Sequence, residues 1–226
     1  LVERYFDGPT PEGSAYEKAS PKLRPETSLN VDAGLKYRDG RLSGELSLFR
    51  NDIHDAIEIA PTGQKNGRLP VYTNVNVGAL RTYGGEVSAA IRLDYGFSVS
   101  GNWSTIKSQD LNNPASPIGN TFSDKLNMAL SWTDARARFW AEYDVRRNGE
   151  QKDVVVGASP VGNVFPSFTV QSVRAGIRGW TIGTVRQDVT VAINNLTNAL
   201  YAEAANASFF RPEPRRNIIV GVSTAF

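Results

Sequence analysis

The stretch Glu86-Val87-Ser88-Ala89-Ala90-Ile91-Arg92-Leu93-Asp94-Tyr95-Gly96-Phe97-Ser98-Val99-Ser100-Gly101-Asn102-Trp103 decides the fold. Val87, Ala89, Ile91 and Leu93 fall on one side of an extended chain, and Glu86, Ser88 and Arg92 on the other. After Asp94-Tyr95-Gly96, Phe97, Val99 and Trp103 alternate with Ser98, Ser100 and Asn102. Successive side chains of a strand point to opposite faces, so this pattern predicts two half-buried strands joined by a tight turn.

The same period recurs on both sides of this hairpin. Leu126, Met128, Leu130 and Trp132 alternate with Lys125, Asn127 and Ser131. Ala137, Phe139, Ala141, Tyr143 and Val145 alternate with Arg138, Glu142, Asp144 and Arg146. Val189, Val191 and Ile193 alternate with Asp188, Thr190 and Asn194, and Ile218, Val220, Val222, Thr224 and Phe226 with Asn217, Gly221 and Ser223. Counting this way predicts about nine strands, near 26–38, 41–59, 81–94, 96–108, 123–133, 136–147, 167–178, 185–194 and 215–226, several longer than the usual soluble strand. No stretch carries a helical period. One strand changes phase: Leu42, Leu46 and Leu48 share a face, whereas Ile53, Ile57 and Ile59 lie in the other register. Either a bulge near Arg50 or Asn51 shifts the phase, or the strand has left the bilayer by then.

Connections of two kinds alternate. Arg38-Asp39-Gly40, Asp94-Tyr95-Gly96 and Thr133-Asp134-Ala135 are short, and a somewhat longer turn runs near Gly179 to Thr184. Between them lie loops of roughly 14 to 25 residues, near 1–25, 60–80, 109–122, 148–166 and 195–214, longer than compact domains usually carry. Short turns at one end and long loops at the other predict an all-β, transmembrane antiparallel barrel with periplasmic turns and extracellular loops. Bacterial barrels have even strand numbers. About nine strands, beginning at Leu1 in a loop-like stretch, therefore suggest part of a larger barrel whose N-terminal portion is missing.

Composition agrees. The 226 residues contain no run near the ~20 apolar residues of a membrane helix. Mean hydropathy is slightly negative, which is uninformative when lipid-facing and lumen-facing residues alternate. Absence of cysteine excludes a disulfide framework, a thiolate metal site and a cysteine nucleophile. A net charge of +2 with interspersed signs gives no nucleic-acid surface. Tyr95, Trp132, Tyr143 and Phe226 are candidates for the aromatic membrane girdle, where an apolar ring with a polar edge is at home; ordinary core packing is the alternative.

Several segments, in order, resemble TonB-dependent outer-membrane receptors. Pro21-Lys22-Leu23-Arg24-Pro25-Glu26-Thr27-Ser28 is similar to their loop-to-strand segment N-P-x-L-K-P-E-x-S, with Ser20 in place of Asn. Leu46-Ser47-Leu48-Phe49-Arg50-Asn51-Asp52-Ile53 resembles the next strand. Tyr72-Thr73-Asn74 with Gly84-Gly85-Glu86 resembles a Y-x-N…G-x-E pattern. Asn194-Asn195-Leu196-Thr197-Asn198 with Tyr201 resembles N-L-x-D-x-x-Y, Asn198 standing where Asp is usual. Glu213-Pro214-Arg215 stands where Pro-Gly-Arg is frequent, and a closing strand ending on Phe226 resembles the signal read by the barrel-assembly machinery through edge-strand pairing. The resemblance covers nearly the whole chain. It implies the C-terminal part, residues 1–226, of a barrel of about 22 strands, with the plug domain and earlier strands missing. It implies import of a scarce ligand, most often a ferric siderophore, driven by the TonB complex through that plug. Neither enzymatic activity nor a resident cofactor is expected.

Candidate ligand-binding residues are Arg147, Phe209, Phe210 and Arg211 in or beside long loops. The wider basic set, with Arg146, Lys152, Arg215 and Arg216, can meet an anionic ligand or the lipopolysaccharide phosphates of outer-membrane lipid, or be solvated. Phe209-Phe210 can grip an aromatic ligand or pack its loop. Lumen-facing Arg92, Arg138, Glu142, Asp144, Arg174, Arg178 and Asp188 can face plug or ligand, or pair across strands. His54, the only histidine, lacks partners for a metal site, and Asp52, Asp55 and Glu58 match no calcium loop. Asn102-Trp103-Ser104, Asn195-Leu196-Thr197 and Asn206-Ala207-Ser208 fit the glycosylation sequon by chance. No catalytic constellation is present. A passive porin-like channel, an adhesin barrel or a soluble β module are the rival readings.

Overall fold

The computed structural model describes residues 2–112, 122–152, 164–183, 185–203, 205–206, 209–210 and 212–225. In chain order they form the one-turn helix α1 (Val2–Tyr5) and strands β1 (Gly8–Pro9), β2 (Tyr16–Lys18), β3 (Thr27–Arg38), β4 (Leu42–His54), β5 (Ile57–Asn66), β6 (Leu69–Asn76), β7 (Ala79–Arg92), β8 (Phe97–Asp110), β9 (Asp124–Thr133), β10 (Phe139–Asn148), β11 (Gln151–Lys152), β12 (Val164–Phe165), β13 (Phe168–Ile182), β14 (Val185–Asn194), β15 (Ala205–Asn206), β16 (Phe209–Phe210) and β17 (Asn217–Ala225). Nine of these make one antiparallel sheet in the order β17-β14-β13-β10-β9-β8-β7-β4-β3. Neighbours follow one another along the chain, an up-and-down meander, and the sheet is not closed.

The cross-strand register shows that the sequence pattern assigns faces correctly. Val99 pairs Leu130, Leu130 pairs Tyr143, Tyr143 pairs Val173, Val173 pairs Ile193 and Ile193 pairs Ile218. The alternate row runs Ser98, Ser131, Glu142, Arg174, Ala192 and Ile219. Paired residues share a face, so one side of the sheet is a continuous apolar surface. Its residues are open: Leu35 is 68% exposed, Val220 64% and Trp103 42%. An aqueous surface of that extent would be an association liability; against hydrocarbon it is the expected exterior of a barrel.

The short ends match expectation with two corrections. Asp94–Gly96 closes the β7–β8 turn, with Tyr95 in the left-handed region at φ 62° and Gly96 at 82°. The turn expected at Thr133-Asp134-Ala135 extends to Arg138. The Asp134 carboxylate accepts the Phe139 N–H at 2.7 Å and the Arg136 N–H at 3.2 Å, and Ala137 has φ 54°. Ala137 therefore belongs to the turn and not to the apolar row. The Phe139 amide, and secondarily those of Arg136 and Arg138, hold the Asp134 carboxyl below its ordinary pKa. The turn expected at Gly179 to Thr184 is shorter. β13 continues to Ile182 through a register shift between Ile177 and Trp180, where Gly179 (φ 65°) donates its N–H to Asp188 at 2.6 Å.

The larger corrections concern two long loops. The strand expected over 41–59 stops at His54, because Asp55 takes φ 54°. β5 then begins in a different sheet, which accounts for the opposite phase of Ile57 and Ile59. The loop expected at 60–80 is mostly a hairpin, β5–β6, and the loop expected at 1–25 contains α1, β1 and β2, with β2 pairing parallel to β6. These form a second sheet in the order β1-β2-β6-β5.

The chain divides into two compact units. One comprises Leu1–Val31, Arg50–Thr82 and Ser108–Pro117, the other Asp32–Phe49, Tyr83–Lys107 and Ile118–Phe226. In the first, Leu23, Ala56 and Val71 are buried. Asn76 ties its segments by accepting the Arg24 N–H at 2.9 Å and donating to the carbonyls of Arg24 at 3.0 Å and Asp55 at 2.7 Å.

Candidate functional site

In the second unit, the polar parity of the sheet ends at the long loops in a small hydrophobic cluster. Phe122, Phe165, Phe168, Val170 and Ala202 are buried, and Tyr201 packs against them. Phe122 meets Phe165 and Phe168 edge-on at centroid distances of 6.0 and 5.9 Å, and Phe168 lies 4.8 Å from Tyr201. The aromatics stand at the roots of three long connections: Phe122 before β9, Phe165 and Phe168 at the entry to β13, and Tyr201 after β14. The cluster thus joins the bases of three loops.

Arg146, projecting from β10, organises this cluster. Its guanidinium lies 6.0 Å from the Phe168 ring centroid and 5.7 Å from that of Tyr201, donates to the Tyr201 hydroxyl at 3.4 Å and is paired with Glu203. Guanidinium groups stack on aromatic faces through the ring quadrupole. Burial pushes the Tyr201 phenol up, and the Arg146 charge opposes that shift. Asn195, 1% exposed, fixes the same segment. Its side chain accepts the Ala199 N–H at 2.8 Å and donates to the carbonyls of Ala199 at 2.9 Å and Pro214 at 3.3 Å. Both Asn195 and Asn198 adopt positive φ, a conformation asparagine tolerates. The Asn195-to-Tyr201 segment is therefore a folded loop base.

Below this cluster a recess of about 430 Å³ opens on the polar parity, bordered by Asp144, Arg146, Arg174, Asn194, Tyr201 and Asn217. Arg174 bridges Glu142 and, at 3.3 Å, Asp144. Asn194 donates to Asn217 at 3.0 Å. Arg146 is balanced by Glu203, whereas Arg174 stands between two carboxylates, so the recess carries a small negative excess among oriented hydrogen-bond groups. In the first unit, Asp52 is gripped by Arg50 at 2.5 Å and Arg81 at 2.7 Å. Arg50 first, then Arg81, holds the Asp52 carboxyl well below the usual carboxylate range. Asp52, Asp55 and Glu58 are not gathered: Asp55 pairs instead with Arg24. No metal-binding cluster occurs among the described residues.

The residues singled out from sequence are placed as follows. Arg147 has the apolar parity, opposite Leu126 and Thr169, and pairs with Asp124 at 2.7 Å. Phe209 and Phe210 form β16 against β15; their side chains, with Arg211 and Phe226, lie outside the described residues. Tyr95, 92% exposed, and Trp132 sit together at the turn end, where the Trp132 indole N–H donates to the Tyr95 carbonyl at 3.1 Å and its ring lies 6.5 Å from Phe97. Tyr143 is mid-strand and donates to Gln171 at 2.9 Å. Sequence reasoning missed Phe122, Phe165 and Phe168. Their signal is position, an aromatic at each loop root.

A barrel wall with an apolar exterior, short turns and folded loop bases defines an outer-membrane β-barrel protein. The sequence profile described as TonB dependent receptor-like, beta-barrel matches residues 1–196, and the chain belongs to that family. It is a family of receptors and transporters. An iron-regulated outer membrane virulence protein of Vibrio cholerae is 30% identical over 169 residues, 70% of this chain and 25% of that protein. Among solved structures, the FrpB iron transporter from Neisseria meningitidis superposes with a TM-score of 0.68 at 20% identity, over 93% of this chain and 33% of that one. The ferric enterobactin receptor PfeA of Pseudomonas aeruginosa gives 0.71 at 22% identity, over 93% and 32%. The copper transporter OprC gives 0.74 at 18% identity, over 98% and 34%. The chain thus spans about a quarter of the curated relative and about a third of these structures. Its compartment is the outer membrane, which removes the soluble-module reading.

Proposed function

We propose that the chain is the C-terminal part of the barrel of an energy-coupled outer-membrane importer, and that its ligand is a ferric siderophore. The observation that carries the ligand class is the 30% identity to an iron-regulated outer membrane protein. The structural neighbours, below 25% identity, speak for the fold alone. In this reading the plug and its contact with the TonB complex lie in the rest of the protein, and the closing strand serves the barrel-assembly machinery. Tyr95 and Trp132 belong to the periplasmic girdle. Extracellular loops capture the ligand, with Arg147, Phe209, Phe210 and Arg211 as contributors, and the Arg146–Tyr201 cluster holds three loop bases in place for it.

The test is titration of the purified full-length receptor with ferric enterobactin, ferrichrome and cupric ion, read by quenching of tryptophan fluorescence. Saturable binding of a ferric siderophore at submicromolar concentration is expected. Saturation by cupric ion alone, with no response to either siderophore, would replace the ligand class.

A further inference from the structure

The apolar exterior is not smooth. In the second unit it carries a recess of about 340 Å³ whose lining includes Val87, Ala89, Val99, Gly101, Trp103 and Leu126. The hydrogen bond from the Leu93 N–H to the Phe97 carbonyl sets the β7–β8 register, and counting up from it puts Ala89 opposite Gly101 and Val87 opposite Trp103. The floor is low because Ala89 carries only a methyl group and Gly101 no side chain. Trp103 and its cross-strand partner Leu126 stand up on the loop side.

Lys107 lies further along β8 on the same parity, and the pairing of Thr105 with Asp124 carries the register almost to it. From Phe97 to Lys107, at about 3.3 Å per residue and a tilt near 45°, the strand climbs roughly 23 Å along the bilayer normal, close to the ~25 Å height of an apolar band. Lys107 is exposed and has no ion-pair partner among the described residues. The acid nearest on that face, Asp124, is neutralised by Arg147 at 2.7 Å. The apolar recess therefore ends at Trp103 and Leu126, four residues along β8 from a cation that has no ion-pair partner among the described residues.

We propose that this recess and Lys107 bind one molecule of lipid A, with an acyl chain along Ala89 and Gly101 and a glucosamine phosphate paired with Lys107. A cation at the loop-side edge meets the outer leaflet, where the phosphate-bearing acyl lipid is lipid A. Lysine serves there as a point-charge phosphate partner.

The full-length receptor in detergent is titrated with bisphosphorylated lipid A in mixed micelles, and bound lipid is counted by native mass spectrometry. Saturable binding of one lipid A is expected, weakened at least tenfold by Lys107→Glu and by Ala89→Trp, and unchanged by Val191→Trp on the same face outside the recess. Should Ala89→Trp fail to fold, Lys107→Glu, at an exposed rim, decides alone. Equal retention of lipid A by wild type and Lys107→Glu overturns the site. So does equal affinity for phosphatidylglycerol, which would make the surface an annulus for any anionic lipid.

Discussion

Placing arginine at successive positions of β14 tests the face assignment by depth. Val189 lies between Ile177 and Val222, and Val191 between Ala175 and Val220. Thr190 lies on the other face, between Gly176 and Gly221. Counting from Gly183 at the turn, at about 3.3 Å per residue and a tilt near 45°, Val189 sits roughly 14 Å and Val191 roughly 19 Å above it. In a band about 25 Å tall, the first is near the midplane and the second halfway to the outer edge. Arginine on the lipid face costs about 2–4 kcal/mol at the midplane and falls to about 0–1 at the interface. Val189→Arg should therefore cost about 3 kcal/mol, Val191→Arg about 2, and Thr190→Arg less than about 1. At ~1.4 kcal/mol per decade the first two shift the folding equilibrium by factors of order 100 and 30. Denaturant-dependent folding of the full-length receptor into vesicles, followed by tryptophan fluorescence, measures all three. A large cost for Thr190→Arg with little for Val189→Arg would invert the faces and refute the reasoning.

Other consequences follow from single contacts. A Cβ at Gly96 would meet the Thr133 carbonyl oxygen at 1.9 Å in a residue already at φ 82°. Gly96→Ala should cost at least ~1–3 kcal/mol in the same folding assay. Asn195→Ala strips partners from the Ala199 N–H and from the Ala199 and Pro214 carbonyls. It should cost about 2–3 kcal/mol, seen as faster hydrogen exchange over 195–203. Arg146→Ala should release the Tyr201 segment from Phe168 and raise exchange there, while the paired rows of β10 keep their protection. Asp52, whose folded pKa is depressed, contributes stability that is fully present above its unfolded pKa of about 3.9 and is lost only as pH falls through the lower folded value. Proteolysis of the β5–β6 hairpin should thus be constant from pH 7 to pH 5, and faster in Asp52→Asn at both.

The membrane-spanning wall was legible in the sequence because a strand between lipid and lumen must alternate, and pairs such as Val99 with Leu130 and Val191 with Val220 obey that rule. Strand ends were legible where the turn is short. They were not at Asp134, whose carboxylate caps the amides of Arg136 and Phe139, or at Gly179, where a bulge keeps the strand running. Residues 57–76 were hidden for a different reason. β5 and β6 pair in the second sheet and not in the nine-stranded wall, and there Glu58, Gln64, Lys65 and Asn66 occupy strands without a period-two signature. The loop-root cluster escaped because its members are scattered over 122–202 and are brought together only by the register of β9, β10 and β13. Sequence position marks Arg147 as a loop-side cation; by parity it is its neighbour Arg146 that reaches the aromatic cluster.

Energy-coupled uptake is the most direct test of the account. Cells carrying or lacking the gene for the full-length protein are given radiolabelled ferric siderophore, with and without a protonophore. The account predicts accumulation that requires the gene and is abolished by the protonophore. Gene-dependent accumulation that continues in the presence of the protonophore would contradict it and establish a passive channel.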